Sequence, residues 1–347
     1  MVTSVTAQRT PFLFRPLVLD DRSIRLDKTG HLPGDPEVRR RLEGVVAAFA
    51  AGYGAGLASG RGPLEPDAPT APGTAPAPAG VPAALAGFAY EGAAMSRALL
   101  DVLTGTRGRR VAGLLEGPGR RHFHLVHVGI GWAYSRLRLR PWSGVPGARG
   151  LPRWLAWDGW GFHQAYVRPG PVFYEHRVER GARGPAMPVR DQGAGRALWF
   201  HTCADPETVG RVIAGFPPHR RGDLWSGVGL AAAYTGVRPP DVLASLLRIA
   251  EGHRADLAQG AAFAAKARVL AGEVPGDVRD AIETLCSASP ATAAKWTDIA
   301  HDEAADHGDS LEDYQYWRTL VRREWRRHDG GLVRREWRRH DGGGGQW

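Results

Sequence analysis

The chain has 347 residues, of which 43% are hydrophobic, enough for a substantial core in one large domain or two ordinary ones. Its 45 Lys and Arg exceed its 36 Asp and Glu, giving a formal charge of +9, yet only Lys28, Lys266 and Lys295 are lysines. The same Ala-Gly-Arg-Pro bias fills spacer stretches with no evident task, so the arginine excess is compositional and no nucleic-acid partner is expected.

Cys203 and Cys286 stand alone, without a disulfide framework or a metal-ligand spacing, and read as small buried hydrophobes in a reducing compartment. The start, MVTSVTAQRTPFLFRP, lacks the basic-then-apolar pattern of a signal peptide. No stretch reaches the roughly 18 consecutive apolar residues of a membrane span. A cytoplasmic protein without a membrane partner is expected.

Residues 1–35 form an irregular lead-in. Asp35-Pro36 is a helix start, with the acid as N-cap and the proline at the first helical position. The periodic residues Val38, Leu42, Val45, Val46 and Phe49 carry this helix towards Gly60. Residues 61–82, RGPLEPDAPTAPGTAPAPAGVP, read as a disordered or polyproline-like loop. From Ala83 the spacing is helical again, and so is HFHLVHVGIGWAYSRLRLR. Residues 141–152 read as loop.

Residues 168–195 mix Gly, Pro and charge and are expected to wander over the surface, with at most a short strand over 172–178. ALWFHTC, 197–203, is an apolar run that is either a buried strand or the first turns of a helix. Asp205-Pro206 repeats the helix-start signal, and helical segments broken by Gly or Pro follow. LVRREWRRHDGG at 320–331 recurs letter for letter at 332–343. The first copy continues a helix from Tyr314 and Trp317. The second has nothing left to pack on.

The densest stretch is RWLAWDGWGFHQAYV, 153–167. As a helix it is apolar almost all round, hence buried, yet it carries Asp158 and His163. A buried carboxylate costs several kcal/mol unless paired or protonated, so Asp158 needs a partner. That partner is a structural arginine or helix end, or Asp158 has a catalytic or ligand-binding role.

HFHLVH holds His122, His124 and His127, of which only the last two share a face, and no further ligand follows at metal spacing. DEAAD, 302–306, resembles the magnesium-diphosphate motif of class I terpene cyclases, but its polar surroundings suit a solvated helix end. PPHRRGDLW sets Arg220 and Arg221 beside Asp223 and Trp225, as an anion seat at a helix N-terminus or with Asp223 as a simple N-cap. Nucleophile elbows, phosphate loops and dinucleotide fingerprints are absent.

GFAYEGAAM, VGIGWAY, DGWGFHQAY, SGVGLAAAY and QGAAFAAKA each mix Gly and Ala with aromatics. Small residues let helix backbones approach closely, so these segments predict an all-α array of stacked helical hairpins around one aromatic-lined interior, with at most minor β structure. No fixed repeat period is present. The domain reading is a lead-in over 1–35, one helical domain over 36–319 interrupted by the 61–82 loop, and an Arg-rich duplicated tail over 320–347.

Taken together with LAWDGWGFHQAYV, ALWF, RRGDLWSGVGLAAAYTG and a YxxWR at Tyr314, Trp317 and Arg318, these segments resemble the DUF1702 family of actinobacteria, over roughly residues 36–319. Genes of that family often lie in enediyne polyketide clusters. The resemblance implies specialised-metabolite biosynthesis and no particular reaction.

The expected function is therefore that of an enzyme or maturation factor acting on a hydrophobic, polyene-like intermediate, with a polyketide synthase as a candidate partner. Candidate proton-transfer residues are Asp158, His163, Glu91, His127 and Asp223. Tyr90, Trp132, Trp157, Trp160, Phe162 and Trp225 would line a binding site with Arg220 and Arg221. No cofactor or metal is expected. Two alternatives stand: a cyclase of prenyl diphosphates, the one reading that would use magnesium, and a non-catalytic helical scaffold or carrier for a synthase.

Overall fold

A computed structural model describes residues 26, 30–59, 80–141, 148–179 and 182–341, without the side chains of residues 118 and 331–341. The Pro/Ala spacer up to residue 79, most of the lead-in and the side chains of the second tail copy lie outside the described residues. Among the described residues the elements are helical, with no strand.

Thirteen α-helices follow one another: α1 Pro36–Ser59, α2 Ala86–Leu103, α3 Arg109–Glu116, α4 Phe123–Arg136, α5 Leu155–Val167, α6 Ala186–His201, α7 Pro206–Gly215, α8 Pro218–Thr235, α9 Pro240–Ile249, α10 Arg254–Ala271, α11 Gly276–Cys286, α12 Pro290–Ala305 and α13 Leu311–Asp341. The caps follow the sequence signals. The Asp35 carboxylate accepts from the N–H of Glu37 at 2.8 Å, and Asp205 accepts from that of Thr208 at 2.9 Å. Left-handed glycines, Gly236 and Gly272, stop α8 and α10.

The long helices form one row in the order α1, α2, α4, α5, α6, α8, α10, α12, each packed on the next. The shorter α7, α9 and α11 make a second row, and α13 closes the end against α12 and α10. The row is held by glycines at the crossings. A Cβ on Gly131 of α4 would overlap the Ala156 carbonyl of α5, and one on Gly159 of α5 would overlap the Val128 carbonyl of α4. The same reciprocal contact joins α5 to α6 through Gly161 and Gly193, α6 to α8 through Gly195 and Gly227, and α8 to α10 through Gly229 and Gly260. Backbones this close leave no room for a side chain, so the large rings pack above and below the crossings.

Two stretches depart from expectation. Residues 186–195 do not wander over the surface: they are the first turns of α6, and Arg190, Asp191, Gln192 and Arg196 are all at most 5% exposed. Buried polar residues interrupt the apolar period there, which hid the helix. ALWFH is the last part of that helix, not a strand. Residues 170–174 form one π-helical turn in place of the short strand, with Val172 and Phe173 buried.

α1 is the one described helix long and apolar enough to cross a membrane. Val38, Leu42, Val45, Phe49, Tyr53 and Leu57 on it are buried in the protein, as in a core helix. In the C-terminal helix the first repeat copy contributes Leu320, Val321 and Trp325 to the core, and the backbone stays helical to Asp341.

Candidate functional site

Six of the long helices place one residue immediately before their first crossing glycine: Glu91 on α2, Val128 on α4, Asp158 on α5, Gln192 on α6, Ser226 on α8 and Gln259 on α10. Because the crossings stack, five polar side chains come into one line through the interior. The Gln192 amide donates to Asp158 Oδ2 at 2.8 Å. The Ser226 hydroxyl lies 3.0 Å from Gln192 Oε1 and 2.9 Å from Gln259 Oε1. Arg322 of α13 reaches Gln259 at 3.4 Å and Asp256 at 3.2 Å, bringing the line to the half-buried edge.

At the other end stands Arg196, one turn beyond Gln192. Its Nη1 donates to Asp158 Oδ1 at 2.5 Å, and its Nη2 lies 3.7 Å from Glu91 Oε1. Trp132 Nε1 donates to the same Glu91 oxygen at 3.1 Å. Asp158 is 0% exposed, Glu91 3% and Arg196 5%. Burial is the main force on Glu91 and, with the Asp158 charge adding to it against Arg196, pushes its carboxyl up to about 7.

Two clefts meet at Arg196. The first is walled by Phe49, Phe88, Trp132, Phe162, Tyr166 and Phe200, with Glu91 and Arg196 as its polar groups and Val45 and Val46 completing it. Trp132 sits 4.7 Å from Phe49 and 5.0 Å from Phe162, ring centre to ring centre, so the wall is continuous. The second lies against Asp158 and is lined by Leu125, Leu155, Tyr234, Phe263 and Trp317, with His124 and Lys266. Each encloses about 40 Å³.

The structure thus brings together Glu91, Asp158, Trp132 and Phe162 of the expected residues. His163 is next door: its Nδ1 meets the Ser135 hydroxyl at 2.9 Å, its ring stands edge-on to Trp132, and burial lowers it to about 3. His127 bonds the Phe123 carbonyl at 2.6 Å through Nδ1 and is lowered by burial to about 4. Neither histidine lines either of these two clefts.

Other expected residues are engaged elsewhere. Arg220 holds Asp191 with two bonds of 2.7 Å. Arg221 donates to the Ala214 and Phe216 carbonyls at the end of α7. Asp223 pairs with Arg318 at 2.9 Å and lies inside α8, which begins at Pro218, so it is not an N-cap. Tyr90 stacks on His122, Trp157 packs edge-on against Trp160, and the Trp160 indole donates to the Leu139 carbonyl. Trp225 is core. In DEAAD, Asp302 is 86% exposed and Glu303 is held by Arg323.

Arg196 and Gln192 are not among the residues expected from the sequence. For Gln192 a signal is present, since QGAG at 192–195 matches DGWG and SGVG, each a polar residue before Gly-x-Gly; for Arg196 there is none.

The family model described as a protein of unknown function (DUF1702) matches residues 13–325. The chain belongs to the DUF1702 family. No curated protein and no solved structure matches this DUF1702 chain. The match includes both clefts and the whole polar line, and ends at Trp325, inside the first tail copy.

Proposed function

We propose that this DUF1702 protein is an enzyme of specialised-metabolite biosynthesis, cytoplasmic, that moves a proton on a hydrophobic, polyene-like intermediate of polyketide origin held in the first cleft. Glu91 is the proton-transfer group. The observation that carries the reading is a single buried carboxyl lining a cleft walled by six rings, with burial pushing it up to about 7. A general acid or base works best with its pKa near the working pH, and burial is what brings Glu91 there.

Arg196 and Asp158 act on Glu91 rather than on the ligand. The Asp158–Arg196 pair fixes the guanidinium, and Trp132 fixes the carboxyl orientation. The aromatic wall excludes water and aligns an extended unsaturated chain. The biosynthetic setting rests on the family's usual gene neighbourhood, and a polyketide synthase is the natural supplier of such a chain.

Glu91→Gln keeps the size and the Trp132 bond and removes the proton. In a producing strain it abolishes the mature product while the protein remains folded by circular dichroism. Wild-type titre from that strain overturns the reading and favours a non-catalytic carrier. The cyclase alternative has less support, since Arg220 and Arg221, its diphosphate ligands, are committed to Asp191 and to the end of α7.

A further inference from the structure

The cluster at the cleft floor is unbalanced in charge. It holds two carboxylates and one guanidinium, none more than 5% exposed. Arg196 sits 2.5 Å from Asp158 and 3.7 Å from Glu91, so Asp158 takes most of its charge and Glu91 is left as the surplus anion. Among the described residues Arg196 is the cation whose charge acts most on Glu91, and no described lysine or histidine lines this cleft. An ionised Glu91 therefore faces an apolar space with only a share of the Arg196 charge to offset it, a costly state relieved by a proton or by a further cation.

The space it faces suits a cation. Aromatic rings are negative on their faces, and six rings line the cleft that holds the one carboxylate. Arg196 already rests on one of them, its guanidinium carbon 4.9 Å from the Phe162 ring centre. The cleft has room for about three waters, comparable to a small substituted ammonium head or a few carbons of a chain. Val46 and Trp132 are half-buried, so the remainder of a longer ligand has a way out past them. An anionic ligand would meet Glu91 directly, and a neutral one would leave it undercompensated.

We propose that the first cleft selects a ligand that carries, or acquires on protonation, a positive charge opposite Glu91, with the Glu91 carboxylate as counter-ion and the rings as walls. This deepens the proton-transfer reading and rests on it for the second case. When the Glu91 acid gives its proton to one carbon of an alkene, a C–H bond forms, the π bond breaks and the neighbouring carbon becomes cationic. Glu91 is left as the carboxylate. It then faces that cation, and loss of a proton from an adjacent carbon restores both.

Choline and its neutral isostere 3,3-dimethylbutan-1-ol separate charge from shape. Calorimetric titration of the full-length protein at about pH 8 gives choline at least a tenfold tighter affinity than the alcohol. At about pH 6 choline binds roughly tenfold more weakly, because a proton must leave Glu91 first, while the alcohol is unchanged. In Glu91→Gln the preference for choline disappears. Equal affinities, a preference that survives Glu91→Gln, or no choline binding at either pH overturns the proposal.

The two ideas fail separately. Loss of product in Glu91→Gln without choline binding leaves the acid and removes the cation site. Choline binding with wild-type titre in Glu91→Gln does the reverse.

Discussion

Arg196 is the residue on which the candidate site turns. Its guanidinium stands between two carboxylates that are both inside the protein, with Asp158 fully buried. Removing one partner of a buried ion pair leaves its charge uncompensated, which typically costs about 3–5 kcal/mol. Arg196→Met should lose that much in urea unfolding, and adding Asp158→Asn should recover a good part of it. A loss under about 1 kcal/mol would mean that the carboxylates are already protonated or solvated.

Glu91 contributes with the opposite sign. Its folded-state value, about 7, lies above its ordinary 4.5, so the native state holds a proton that the unfolded chain has released. Stability from this group is full below about pH 4.5 and is lost as pH rises to about 7, some 3 kcal/mol in all.

At the scale of the helix, the crossings decide the structure. A methyl group on Gly193 of α6 would overlap the Asp158 carbonyl of α5, backbone that cannot swing aside. Gly193→Ala must push the two helices apart, and it displaces Gln192 and Arg196 from Asp158. A loss of about 3 kcal/mol or more follows in thermal unfolding, at the upper end of overpacking costs. Gly54→Ala on α1 is the control, since a methyl there meets nothing within 4 Å. It should gain up to about 1 kcal/mol from helix propensity. Equal effects of the two would remove the crossings from the account.

The same scale explains what the sequence disclosed. Small residues beside aromatics in α2, α4, α5, α8 and α10 give the helical array directly, because a helix that buries Gly on one side must have a close neighbour there. Asp158 is legible as a buried acid in need of an arginine. Which arginine is not, because α6 carries Arg190, Asp191, Gln192 and Arg196 in the interior, and these break the apolar period that marks a buried helix. Partners from distant helices leave no spacing signal, so PPHRRGDLW reads as an anion seat or an Asp223 N-cap, whereas Arg220 pairs with Asp191 and Asp223 with Arg318.

Over the whole molecule, one row of helices lines up five polar residues beside its crossing glycines, and that line ends in a charge cluster between two apolar clefts. The row makes the cluster dry, and dryness gives Glu91 its proton near neutrality. The remaining polar groups satisfy one another along the line from Asp158 through Gln192 and Ser226 to Gln259. Glu91 is the member left facing a cleft walled by rings. Infrared difference spectra between the wild type and Glu91→Gln, taken across pH, read that carboxyl directly. The account predicts a protonated-carboxyl band specific to Glu91 that persists at about pH 5.5 and disappears with a midpoint near 7. A carboxylate already formed at about pH 5.5, as for an ordinary exposed glutamate, would contradict it.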